Sequence, residues 1–225
     1  TATITTGAVD SALVDALSNV KTTDKISFTA NTTASDANDI IALKKILPLA
    51  NLNAIATING TSDDVAALKS ASNIVKTAAV TVGTGTISAA DANALVVASK
   101  GNVTATIKDG SVAATLNALK DVADDTAGTN TLTFKSTDKT ADAKALAALD
   151  TLLGAANTDF SSVQTITSKA ADIGTGGTTV SAALGALSAL PADAAVTITN
   201  GTISATDAGA ISNNVNAGKV TATVA

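Results

Sequence analysis

The chain has 225 residues, 46% hydrophobic and 15% charged, with a formal net charge of -5 and a pI of about 4.5. An acidic surface carries no basic stripe to neutralise a phosphate backbone, so nucleic acid is not an expected partner. Three Phe and no Trp, Tyr, Met, Cys or His leave the core to Ala, Val, Ile and Leu. Such side chains fill thin layers better than the wide interior of a globule, and a chain without Cys or His lacks the usual zinc ligands, thiol nucleophile and imidazole base.

The chain opens on ATIT (2–5) and closes on VTATVA (220–225), with VTATI at 103–107, TLTF at 131–134 and VTIT at 196–199. Strand-like phrases of this kind end near Ile4, Phe28, Ile58, Val82, Ile107, Phe134, Ile166, Ile198 and Val224, at intervals of 24, 30, 24, 25, 27, 32, 32 and 26 residues. The mean of about 27 is the length of one strand, one helix and two short connections.

Between the strands a helix-start phrase recurs. TASDANDI (33–40), ISAADANAL (87–95), TADAKAL (140–146) and ISATDAGAI (203–211) share a Ser or Thr, then Asp-Ala, then Ile or Leu. Ser88 and Ser204 stand where an N-cap hydroxyl accepts an orphan backbone N–H, with Asp91 and Asp207 in the first turn, at the positive end of the helix dipole. Asp63 and Asp64, after Ser62, read as another first turn. Apolar residues follow at helical spacing, as at Leu116, Leu119 and Val122, or Leu146, Leu149, Leu152 and Leu153. SKGN (99–102) and NAGK (216–219) read as helix ends with left-handed glycines. The glycine-rich DIGTGGTT (172–179) lacks the Lys of a phosphate loop and reads as a long connection.

Strand, helix and strand in alternation imply parallel pairing with right-handed crossovers. A closed eight-unit barrel takes more residues and bulkier fillings than the inward Ala2, Ala105 and Ala222 supply. The expected fold is therefore α/β, an open right-handed solenoid of about eight strand-helix repeats. One continuous parallel sheet runs end to end with helices on one face, in a single repeat domain spanning 1–225, and 135–162 and 167–195 are its longest excursions.

At period two, Val103, Ala105 and Ile107 face the helices, while Thr104 and Thr106 face outward. Thr165, Thr167, Thr197 and Thr199 continue the outward set, which predicts a two-column ladder of hydroxyls. Its simplest use is solubility, since Thr is the polar residue with good strand propensity. Its functional use is an ice- or carbohydrate-binding face.

The alternation of VTATI-like strands with Ser/Thr-Ala-x-Asp-Ala-x-x-Ile/Leu helix starts resembles the repeats of very large bacterial, especially cyanobacterial, cell-surface proteins and related surface-layer or adhesin chains. That resemblance implies an exported, repetitive, non-enzymatic scaffold at the cell surface or in the extracellular space, with no cofactor. The start at Thr1 without Met or a leader suggests a mature product or a fragment, and no stretch is apolar enough to span a bilayer. The terminal phrases read as bare edge strands. Ala2, Thr3, Ile4 and Thr5 of one copy are expected to pair in parallel with Val220, Thr221, Ala222, Thr223 and Val224 of another, making self the partner in an end-to-end filament.

Overall fold

A computed structural model describes residues 2–122, 130–186, 194–214 and 217–225. It is an α/β structure in which every described strand ladder is parallel. Two compact units are present, one of residues 1–106 with 121–132 and one of 107–120 with 133–225.

The first unit runs β1 (Ala2–Gly7), α1 (Ser11–Ala16), β2 (Ile26–Ala30), β3 (Ala34–Asp36), α2 (Ala37–Ile46), β4 (Thr57–Gly60), α3 (Val65–Ile74), β5 (Ala79–Val82), α4 (Ala89–Ala98) and β6 (Val103–Thr106). Here β1 pairs with β2, and β3, β4, β5 and β6 pair in that order. The helices pack side by side, α1 to α2 to α3 to α4. Strand residues Ile58, Val80 and Val103 meet helix residues Ile40, Leu43, Leu68 and Leu95 in a fully buried layer. Each such side chain contributes about 1.5–3 kcal/mol by leaving water.

The second unit holds α5 (Val112–Ala118), the end of β7 (Thr131–Lys135), β8 (Thr140–Asp142), α6 (Ala143–Leu153), β9 (Thr158–Asp159), β10 (Thr165–Lys169), α7 (Thr178–Ala186), β11 (Ala194–Ile203), α8 (Ala205–Ser212) and β12 (Ala217–Val224). Phe134 and Lys135 of β7 pair with β9, and β8, β10, β11 and β12 pair in that order. Leu146, Leu149, Val180 and Leu184 close over Ile166 and Val196, all fully buried. Leu119, Val122 and Leu153 of the expected helical stripes are buried, while Leu116 and Leu152 are half-buried.

The expectation of one continuous sheet is overturned: the strands form three sheets, of two, six and four strands. The cause is local. Two of the strand phrases break shortly after a buried Phe, so that β2 is followed by β3 and β7 by β8, and the two halves of each phrase take different neighbours. At the first break the Thr32 hydroxyl donates to the Ala34 carbonyl at 2.7 Å, and at the second the Asp138 N–H donates to the Ser136 hydroxyl at 3.1 Å. Such side-chain bonds compete with the ladder and turn the chain. The excursion 135–162 holds β8, α6 and β9, and 167–195 contains α7.

The helix starts form as read at α4 and α8. Ser88 and Ser204 are N-caps, and each accepts the N–H of the first-turn Asp at 3.0 Å. At α2 and α6 the Asp itself is the cap, Asp36 accepting from Asn38 N and Asp142 from Ala145 N. Ser62–Asp64 is a short 3-10 turn leading into α3, and Asp64 takes the Thr61 N–H at 2.9 Å. The left-handed reading of Gly101 is corrected. Its backbone has an ordinary φ, and glycine is needed because a Cβ there would lie 2.3 Å from the Ala78 carbonyl oxygen. Of its counterpart NAGK (216–219), Asn216 lies outside the described residues, and Gly218 lies within β12 (Ala217–Val224) rather than at a helix end.

Candidate functional site

Among the described residues six strands have a single strand neighbour, β1 and β2, β3 and β9, and β8 and β12; of these, β1, paired with β2, and β12, paired with β11, carry the terminal phrases. Ala2 N donates to Lys25 O at 2.9 Å, which turns the Ala2 and Ile4 N–H groups toward β2 and leaves the Thr3 N–H on the outer edge. Thr3 is exposed and accepts from the Ser27 hydroxyl at 3.1 Å, whereas Ile4 is half-buried opposite Phe28. Ala2 is exposed, and Thr5 lies within the same strand.

In β12, Ala225 N donates to Ile203 O at 3.0 Å, so by alternation the Ala222 and Val224 N–H groups face away from β11. Thr221 and Thr223 are exposed on one face, and Val220 and Ala222 are half-buried on the other. Val224 continues that apolar face and is 50% exposed. By contrast, Ile107 at the end of the matching phrase VTATI is 1% exposed. The free edge of β12 is thus a row of unpaired backbone donors and acceptors beside an incompletely covered apolar face.

The threonine face is present in narrower form than expected. Thr104 and Thr106 in the first unit and Thr199 in the second are exposed, and Thr165, Thr167 and Thr197 are half-buried. Asn59, Thr81 and Thr104 stand side by side in the first unit, as do Thr167, Thr197 and Thr221 in the second. The second column fails, because Ala79 stands beside Thr57 and Ala195 beside Thr165. An irregularity between Thr197 and Thr202 also removes Thr199 from register with β12. One polar file remains in each unit, an amide and two hydroxyls in the first and three hydroxyls in the second, not a two-column lattice.

Sequence reasoning did not single out an open groove of about 550 Å³ between Thr22–Ser27 and Ile46–Leu49, with Leu49 93% exposed at its rim. Among the described residues no three His, Cys, Asp or Glu side chains cluster as metal ligands, and no helix is long and apolar enough to cross a membrane. No protein family, no curated protein and no solved structure matches this chain.

Proposed function

We propose that this chain is a structural module of an exported scaffold, a piece of a surface layer, filament or adhesin stalk, built as an open right-handed solenoid and joined end to end through edge strands. The observation that carries the reading is the pair of parallel edges, β1 in the first unit and β12 in the second, each with one strand neighbour among the described residues. An edge strand with unpaired N–H and C=O groups is a template for strand addition. An edge strand joined to a different surface of the next copy need not close into a ring, so it yields a fibre. Location at the cell surface rests on the resemblance of the strand and helix-start phrases to the repeats of bacterial surface proteins.

Sedimentation and electron microscopy of the 225-residue chain test the proposal. Concentration-dependent growth with visible fibres is the expected result, and Val224→Pro, which removes an outward N–H from the β12 edge, is expected to suppress it while the far-UV CD spectrum stays unchanged. A concentration-independent monomer without fibres overturns it.

A further inference from the structure

A longer period lies over the strand-helix repeat. Thr-Ala-Thr-Ile occurs at 1–4 and at 104–107, and Thr-Ala-Thr-Val at 221–224. Gly-Thr-Ile-Ser-Ala-x-Asp-Ala occurs at 85–92 and at 201–208. The geometry repeats with the letters: the Ser88 and Ser204 hydroxyls each donate at 2.7 Å to the Asp three residues on, and each accepts its N–H at 3.0 Å. Phe28 and Phe134, both 3% exposed, are each followed by a broken strand and an Asp-capped helix.

Equivalent positions therefore lie 103 (Ile4 and Ile107), 106 (Phe28 and Phe134), 116 (Ser88 and Ser204) and 117 residues apart (Ile107 and Val224). On this alignment β12 corresponds to β1. Ile4 pairs with Phe28, and Ile107 N donates at 2.8 Å to the carbonyl of Thr133, which sets Ile107 opposite Phe134. Val224 is the third member of the series. No Phe-bearing strand lies beside it among the described residues, and it is exposed.

Resting on the reading of this chain as a self-assembling scaffold, we infer that the free edge of β12 takes the Ile26–Ala30 strand of a second copy, with Val224 opposite Phe28, in place of that copy's own β1. Three observations carry the exchange.

The donors match, because β12 turns the Ala222 and Val224 N–H groups outward and β1 turns the equivalent Ala2 and Ile4 groups toward β2. The helix layer also matches. Each of the pairs β1–β2, β4–β5, β5–β6, β10–β11 and β11–β12 is joined by one helix. Setting β1 directly on β12 would make a pair with no helix to join it, whereas setting β2 on β12 gives that place to α1. Finally, β1 is lightly held. Its sheet has two strands, and α1 has no fully buried residue. The chain is anchored just beyond, where the Ser35 hydroxyl donates to the Val9 carbonyl at 2.7 Å and Val9 is buried, so release of β1 stops there. The exchange continues the β10-β11-β12 ladder with contacts the chain already makes internally, which is what makes strand exchange a low-cost route to assembly.

Engineered cysteines test this cleanly, because the chain has none of its own. In the exchanged register Thr223 takes the place of Thr3 beside Ser27. Full-length Ser27→Cys and Thr223→Cys variants carrying tags of different mass are mixed and oxidised, and the mixed disulfide dimer is measured against that from Thr3→Cys with Thr223→Cys. Neighbouring strands bring such pairs within disulfide reach. Exchange predicts that the first pair exceeds the second at least fivefold, and that Thr3→Pro does not lower assembly. A second pair equal to or stronger than the first means direct addition of β1 to β12. That overturns the exchange and leaves end-to-end assembly standing. Absence of both products, with a monomer in sedimentation, overturns both.

Discussion

The Ser99 hydroxyl, 2% exposed at the end of α4, donates to the Ala78 carbonyl at 3.0 Å and accepts the Gly101 N–H at 3.1 Å. One side chain thereby ties the end of a helix to the start of β5, 21 residues earlier. Ser99→Ala removes both bonds and leaves buried backbone groups unpaired, which costs about 1–3 kcal/mol. A fall in the urea midpoint of that size, with an unchanged slope, is expected. An unchanged midpoint would show that water replaces the hydroxyl without loss. Gly101→Ala is expected to be worse, since its Cβ would strike the Ala78 backbone.

Ser88 and Ser204 cap α4 and α8 with the same two hydrogen bonds and share no bonding partner. Each Ser→Ala change should lower stability by about 1 kcal/mol, and the double variant by roughly the sum. Ser→Asp at either position restores a side-chain acceptor at the cap but sets it against the first-turn Asp. It is therefore expected to recover only part of the loss. Thermal melts of the five variants check this, and full recovery by Asp would mean that repulsion with Asp91 or Asp207 is negligible.

The helix starts and the inward and outward strand faces were legible because both are local. An N-cap needs one hydroxyl and one acceptor spacing, and Val103-Thr104-Ala105-Thr106 alternates buried and exposed as its letters do. The breaks between β2 and β3 and between β7 and β8 were not legible. They depend on which neighbour each half-strand finds, and TLTFKS carries no Gly or Pro to announce a turn. The single polar file escaped for a similar reason: lateral register sets Ala79 beside Thr57, and no reading of one strand at a time contains that. Gly101 was read from its residue type, while its cause is the backbone of Ala78.

Leu146 is fully buried in the second unit, and Leu49 is 93% exposed in the first. With few large side chains in the chain, a cavity at Leu146 has little nearby bulk to collapse into it. Leu146→Ala should cost about 2–5 kcal/mol. Leu49→Ala should stay within about 0.5 kcal/mol. Equal effects of the two substitutions in denaturant titrations would refute the burial assignment.

Acid should unfold this chain through a small set of identifiable carboxylates. The Ser88 hydroxyl, followed by Lys69 at 3.0 Å, holds Asp91 below its ordinary range against the opposing effect of partial burial. The Thr61 N–H and hydroxyl, then Asn38, lower Asp64, and bonds from Ser161, then Lys135, lower Asp159. A carboxyl whose pKa is lower folded than unfolded binds fewer protons in the native state. Its stabilisation is complete above the unfolded value of about 3.9 and is lost as pH falls through the folded value. Asp39 has the opposite sign: burial, then Asp36, Asp10 and Asp15, raise its pKa, so protonating it relieves the fold as pH falls. Three lowered groups against one raised group predict a melting temperature that is flat from about pH 5 to 8 and declines below about pH 4. Ser88→Ala should make that decline shallower, because Asp91 then titrates nearer its unfolded value. A melting temperature that rises between pH 5 and pH 3 would show that the Asp39 cluster dominates and would overturn the assignment.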